Sequence, residues 1–298
     1  MTTPHYRGRF APSPTGPLHY GSLFAAVFSY LEARTNKGAW LLRIEDIDPP
    51  RENPKAKRQI PLTLQAHGLI WDEEPLFQSN RSEQYDELLA HLARIKCTFV
   101  CPCSRKQLCD LNQHLPGCGK SGNISNVSIG AIKFHTNGQR YTWHDGIQGK
   151  LTYGLEDDFV IKRKDHLYAY QLACVVDDIT QDITHVVRGA DLLESTPMQL
   201  ALFDAIGHPP PQYSHFPVIL DKNGQKLSKQ NLSKPVDDTN PIDNLLRVFE
   251  QLGIVLPKRP KTPALALEMA EMHWPQISIP AVTTLTITKQ LSLTSNLL

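Results

Sequence analysis

The sequence predicts an α/β fold built on a parallel sheet, and three observations predict it. Strand and helix signals alternate over the first 95 residues, five of the six cysteines are crowded between Cys97 and Cys118, and the alternation resumes beyond residue 150. The pattern divides the chain into a first α/β half (1–96), a cysteine-bearing insert (97–150), a second α/β half (151–235) and a short helical C-terminal region with a tail (236–298).

Tyr6 to Ala11 is a short strand, followed by a turn stiffened by Pro12, Pro14 and Pro17. From Leu18 to Ala33 apolar residues recur with helical period, and Gly21, Ala25 and Ala26 give one face small side chains. Trp40 to Ile44 is a second strand, ending at the acids Glu45, Asp46 and Asp48. A strand, a helix and a strand of these lengths form a βαβ unit, whose two strands run parallel. Residues 97 to 150 break the alternation, with short apolar runs among Cys, Gly, Asn and Ser. Phe159 to Ile161, Tyr170 to Val176 and His185 to Val187 restore it, and Leu200 to Ile206 and Ile242 to Leu252 have amphipathic helical patterns. Beyond Pro257 the chain is rich in Pro, Thr and Ser with weak periodicity, which leaves the order of this tail open.

Composition narrows the function. Hydrophobic residues make up 41% and charged residues 20%, as in globular proteins. With 31 Lys and Arg against 30 Asp and Glu, overall charge gives no attraction to nucleic acid, so an RNA partner needs a local basic face. Met1 to Phe10 lacks the apolar centre of a signal peptide, and no window approaches the ~20 apolar residues of a membrane span. A soluble, cytoplasmic, monomeric chain with no membrane partner is expected.

Two stretches carry chemistry. Arg9-Phe10-Ala11-Pro12-Ser13-Pro14-Thr15-Gly16-Pro17-Leu18-His19-Tyr20-Gly21-Ser22 is a strand, a rigid turn and a helix start. Unpaired N–H groups and the positive dipole end at that helix start favour polyphosphate, and Gly21 lets a nucleotide ring approach the backbone. A His-x-Gly fragment alone is more often a loop capping an ordinary helix. Two hundred residues on, Asp221-Lys222-Asn223-Gly224-Gln225-Lys226-Leu227-Ser228-Lys229-Gln230 places two lysines around a serine after a turn. Two ammonium groups on a mobile loop can neutralise the charge that builds as a carboxylate attacks the α-phosphate of ATP. Alone, this stretch is a solvated hairpin, since Asn-Gly is a common turn. Together, in this order, the two point to a nucleotide-using enzyme.

The first stretch resembles the HIGH region of class I aminoacyl-tRNA synthetases, and Lys226 to Gln230 resembles their KMSKS loop. Arg9 to Gly16 is similar to the glutamyl branch in particular, as are Arg43 to Asp48, Tyr170 to Asp178, His185 to Gly189 and Ser195-Thr196-Pro197. The likeness spans residues 6 to 235. Ser22 replaces the second histidine and Gln230 the last serine, while Lys229 is retained. Only 68 residues follow Gln230, where a full glutamyl enzyme carries a large anticodon-reading region, so the chain is similar to the short paralogues of that branch.

The resemblance implies a Rossmann-like catalytic domain that activates glutamate with ATP, without tRNA, magnesium accompanying the ATP. It implies catalytic roles for His19 and Lys229, and ATP binding by His19, Gly21, Lys226, Ser228 and Lys229. It also implies a glutamate site of Arg9, Phe10, Ala11, Pro12, Ser13, Glu45, Tyr170 and Arg188. There Glu45 would meet the ammonium, Arg9 and Arg188 the two carboxylates, and Tyr170 would add a hydroxyl. The implied acceptor is queuosine in the anticodon loop of tRNA(Asp). The alternative is a truncated synthetase charging the 3′ end of tRNA(Glu). A nucleotidyltransferase sharing the phosphate motifs has no use for Arg9 with Arg188, and a catalytically dead RNA-binding module has none for Glu45 and Lys229.

Cys101-Pro102-Cys103, His114 and Cys118 follow the spacing Cys-x-Cys-x10-His-x3-Cys. Clustered cysteines in a chain without a signal peptide read as metal ligands before disulfides, and structural zinc takes four such ligands. One structural zinc per chain is expected on Cys101, Cys103, His114 and Cys118, with Cys109 as the substitute for His114. The short paralogues often carry a tyrosine as third ligand, at a spacing one residue longer. Cys97 and Cys174 are read as core thiols.

Overall fold

Strand β1 (Arg7–Phe10), helix α1 (Tyr20–Thr35) and strand β2 (Ala39–Ile44) form the expected βαβ unit. The structure is a computed structural model and describes residues 5–104, 106–107, 118–121, 130–220 and 235–286. β1 and β2 are parallel, with Arg9 opposite Leu41 and Phe10 opposite Leu42. Helix α1 begins at Tyr20 because His19 caps it: the ring Nδ1 accepts the Ser22 N–H at 3.3 Å. The return from α1 to β2 passes so close to Tyr6 that a Cβ on Gly38 would stand 2.4 Å from the Tyr6 carbonyl oxygen.

Helix α2 (Pro54–Ala66) leads to the two-residue strand β3 (Leu76–Phe77), parallel to β2, and then to α3 (Ser82–Arg94). Four strands follow, β4 (Thr98–Cys101), β5 (Ala131–Phe134), β6 (Arg140–Asp145) and β7 (Gly149–Gly154), and then β8 (Phe159–Lys162). Helix α4 (Tyr170–Thr180), strand β9 (His185–Gly189), helix α5 (Ser195–Ala205) and strands β10 (Gln212–Phe216) and β11 (Val218–Leu220) complete the second α/β part. β4, β5 and β8 form an antiparallel sheet, and a second sheet has the order β7-β6-β10-β9 with β6, β10 and β9 parallel. Strands within 97 to 150 thus pair with strands beyond 150, a coupling that the local sequence pattern does not disclose.

The two α/β parts meet where β1 lies beside β9. Thr184 N–H donates to the Arg7 carbonyl at 3.0 Å, Arg7 N–H donates to Thr184 Oγ1 at 2.8 Å, and Tyr6 stacks on His185 with ring centres 4.2 Å apart. The C-terminal ends of β1, β2 and β9 consequently surround one opening, the usual ligand position of an α/β sheet.

The chain closes with α6 (Pro241–Gln251), α7 (Pro263–His273) and β12 (Thr284–Thr286). The region beyond Pro257, whose order the sequence leaves open, forms a helix at 263–273 and a strand at 284–286. Thr262 Oγ1 accepts the Leu265 N–H at 3.2 Å, and Pro263 stands where a helix tolerates proline. Ala266, Leu267, Met269 and Ala270 are buried. β12 pairs parallel with β11. In the core between α1 and this region, Phe28 packs on Phe216 and Trp274, both at 4.8 Å, and Trp274 Nε1 donates to Glu32 at 2.7 Å. Among the described residues no helix is long and apolar enough to cross a membrane.

Candidate active site

A cavity of about 380 Å³ opens at the strand ends, and its lining includes Arg9, Phe10, Ala11, Ser13, Glu45, Tyr170 and Arg188. These are seven of the eight residues predicted for glutamate. The eighth, Pro12, lies behind the wall, where its carbonyl accepts the Glu45 N–H at 3.1 Å and fixes the end of β2 against the turn after β1.

Arg9, which lines the cavity, and the fully buried Arg43 behind it share one carboxylate. Arg9 Nε donates to Asp178 Oδ1 at 3.1 Å, and Arg43 Nη2 donates to the same oxygen at 2.5 Å. Burial alone would raise the Asp178 carboxyl, yet the Arg9 and Arg43 charges hold it below the usual carboxylate range. Cys174 is buried, as expected of a core thiol, but it lies against Arg9 Nη2 at 3.6 Å and donates to Asp178 at 3.5 Å. Burial pushes its thiol up to about 12.

Glu45 is half-buried at the cavity edge, and no hydrogen bond ties its carboxylate to another described residue. Desolvation pushes its carboxyl up to about 7, although Arg43 and Arg9 pull the other way. A ligand cation placed there would restore the charge.

On the opposite wall Arg188 is held by three side chains. Nη1 donates to Tyr170 Oη at 3.1 Å, Nη2 to Thr196 Oγ1 at 2.8 Å, and Nε to His215 Nε2 at 3.0 Å. Behind His215 lies Asp145, whose Oδ2 meets the ring Nδ1 at 2.5 Å. Burial pushes the Tyr170 phenol up, so that it remains a neutral hydroxyl. Sequence reasoning gave no role to Arg43, Asp178, Thr196, His215 or Asp145. A charged residue inside the apolar strand Trp40 to Ile44, and an aspartate pair closing the run from Tyr170, were the available signals for the first two.

The nucleotide side is described in part. His19 sits at the start of α1, its Nε2 3.0 Å from Ser22 Oγ, beside Pro235. Gly21 lies in the first turn of the helix. Lys226, Ser228 and Lys229 lie outside the described residues. A second cavity of about 520 Å³ shares Ser13, Glu45 and Tyr170 with the first and runs on past Asp48, Arg51, Arg163 and Tyr168.

Away from the cleft, the sulfurs of Cys101, Cys103 and Cys118 lie within 4.8 Å of one another, all buried. Sulfurs around a tetrahedral ion at ~2.3 Å stand roughly 3.8 Å apart, so the cluster is compatible with zinc. Burial pushes the Cys101 thiol up to about 12; a hydrogen bond from the Cys103 backbone pulls the other way, and the Cys118 and Cys103 thiols add to the rise. A divalent cation would reverse that preference. His114 and Cys109 lie outside the described residues. Cys97 stands apart from the cluster, packed against the core of α3 and α4.

The family model for tRNA synthetases class I (E and Q), catalytic domain, matches residues 5–245. The chain is 44% identical over 262 residues to the Glutamyl-Q tRNA(Asp) synthetase of Vibrio vulnificus strain YJ016, covering 87% of this chain and 85% of the relative. It is 43% identical over 299 residues to the protein of the same name from Xanthomonas campestris strain 8004, covering 96% and 97%. Among solved structures, the glutamate-tRNA synthetase of Elizabethkingia anophelis superposes with a TM-score of 0.75 at 25% identity, covering 93% of this chain and 67% of that one.

Proposed function

The chain belongs to the class I tRNA synthetases of the E and Q type, within the group of the glutamyl-Q tRNA(Asp) synthetases, and on that premise we propose that it activates glutamate with ATP and passes the glutamyl group to queuosine in the anticodon loop of tRNA(Asp). Activation proceeds without tRNA. One observation carries the amino-acid half of this reading: Glu45, a carboxylate with no described partner, shares a cavity with Arg9 and Arg188. Glutamate offers one ammonium and two carboxylates, so that arrangement complements it group for group, with Tyr170 and Ser13 as further hydroxyls. Each charge-assisted hydrogen bond so formed contributes about 1.5–3 kcal/mol.

The α-carboxylate attacks the α-phosphate of ATP, giving glutamyl-adenylate and pyrophosphate. His19 and Lys229 steady the phosphates, and magnesium arrives with the nucleotide. A hydroxyl of the queuosine cyclopentene ring then attacks the adenylate carbonyl, releasing AMP. The acceptor is tested by offering labelled glutamate with tRNA from cells able or unable to make queuosine. Label should enter only the former, on tRNA(Asp). Labelling indifferent to queuosine, or found on tRNA(Glu), would return the truncated-synthetase alternative.

Zinc on Cys101, Cys103 and Cys118, with His114 as fourth ligand, is part of the same proposal. Metal analysis should find one zinc per chain, lost in Cys101→Ser and Cys103→Ser with destabilisation of the surrounding segment. Zinc kept in both variants would reject the site. Zinc kept in His114→Ala alone would move the fourth ligand to Cys109 or a water.

A further inference from the structure

We propose that Asp145 and His215 are a positioning pair that aims the Arg188 guanidinium into the amino-acid cavity by fixing the tautomer of the imidazole. The proposal rests on the glutamate-activating reading and adds two residues to it, from the end of β6 and from β10.

An arginine has only donors, so a histidine nitrogen facing Arg188 Nε at 3.0 Å must be an acceptor. His215 therefore carries its proton on Nδ1, which donates to Asp145 Oδ2. The imidazole is 0% exposed and Asp145 1% exposed, so water cannot substitute for either partner. Burial pushes the His215 imidazole towards its neutral form, and Arg188 and Arg9 reinforce that against the pull of Asp145. Asp145 in turn cannot rotate. Its Oδ1 accepts the N–H groups of Ile147 at 3.1 Å, Gln148 at 3.0 Å and His215 at 3.0 Å. Against burial, these bonds and the imidazole hold its carboxyl down to about 2. The turn bearing Asp145 is itself pressed onto β10: a Cβ on Gly146 would stand 2.3 Å from Ser214 Oγ. The chain of contacts runs from that turn through Asp145 and His215 to the guanidinium.

This geometry makes Asp145→Asn an unusually direct test. The three backbone N–H groups keep the amide oxygen at the Oδ1 position, so the NH₂ group takes the Oδ2 position and faces His215 Nδ1. The imidazole must then accept there and carry its proton on Nε2, which turns a donor against the Arg188 Nε–H. An isosteric change two residues from the ligand thus disorients the arginine through a wrong tautomer.

The experiment is glutamate-dependent pyrophosphate exchange on the full chain, with Asp145→Asn, His215→Leu and His215→Gln, alongside thermal melting. Asp145→Asn and His215→Leu should each raise the KM for glutamate by ~10- to 100-fold, as expected for a charged group losing its orienting hydrogen bond. The KM for ATP and kcat should move by less than about 3-fold. His215→Gln, whose amide oxygen can stand near the Nε2 position, should recover most of the glutamate KM. A wild-type glutamate KM in Asp145→Asn would overturn the proposal. So would an equal loss for both substrates, or melting that collapses in all three variants, since each would reduce the pair to scaffold. Wild-type exchange that ignores glutamate would overturn the activating reading as well, whereas normal wild-type exchange with unmoved variants overturns only the positioning pair.

Discussion

Asp178→Ala is expected to destabilise the fold by about 3–5 kcal/mol, the range for removing one partner from a buried ion pair. Arg9 and Arg43 are 3% and 0% exposed, and both donate to the one carboxylate oxygen that the variant lacks. Two buried guanidiniums would be left facing each other, and neither can shed its charge. The melting temperature should fall by on the order of 10 °C. The pH dependence carries a second signature. The folded-state value of Asp178 lies below the ordinary carboxylate range, so its contribution is fully present above that range and is lost as pH falls through the lowered value. Wild type should therefore lose stability on acidification more steeply than Asp178→Ala. Parallel acid unfolding curves for the two would remove Asp178 as the anchor of the two arginines.

Glu45→Gln is expected to raise the KM for glutamate by ~10- to 100-fold, the equivalent of one lost charge-assisted contact to the ammonium. The wild-type KM should itself depend on pH. With its carboxyl pushed up to about 7 in the free site, Glu45 is protonated below that value and offers the ammonium no countercharge. Glutamate affinity should weaken as pH falls through about 7 and level off above it. In Glu45→Gln that dependence should vanish while the KM stays high throughout. The stability effect has the opposite sense to that of Asp178. A raised folded-state value means that Glu45 favours the fold most below its unfolded value and progressively less as pH rises towards 7. A glutamate KM flat across this window in wild type would exclude Glu45 as the ammonium partner.

The βαβ unit was legible because its signals are local. The apolar period of α1, the turn prolines and the strand Trp40 to Ile44 lie within 40 residues, and the parallel pairing of β1 with β2 follows from them. The residues grouped at the cavity came from the resemblance, which supplies pairings that periodicity cannot. What escaped depends on register between distant strands. Asp145 meets His215 only because β6 runs beside β10, and nothing near residue 145 encodes that neighbour. Helix α7 escaped for a different reason: Ala266, Leu267, Met269 and Ala270 are buried, and the rest of Pro263–His273 is too mixed to give an amphipathic stripe. Asp177 shows how neighbours diverge. It accepts from Gln78, Arg81 and Tyr85 on the α3 side, while Asp178 turns to Arg9 and Arg43, a division that a sequence reading of Asp177-Asp178 cannot make.

The aromatic contact between Phe28 and Trp274, with the Trp274 to Glu32 hydrogen bond spanning 242 residues, has a consequence for synthesis on the ribosome. Part of the apolar face of helix α1 is thus covered by a residue translated 242 positions after Glu32. The neighbouring strand β1 likewise waits for Thr184, and β11 waits for Thr284 to Thr286. Such long loops must close before their contacts stabilise anything, which slows folding and prolongs the exposure of Phe24 and Phe28. A nascent chain stalled before residue 274 should therefore be a target for chaperones and proteases, and folding should finish only once residues 274 to 286 have emerged, in a step that joins segments far apart in the sequence.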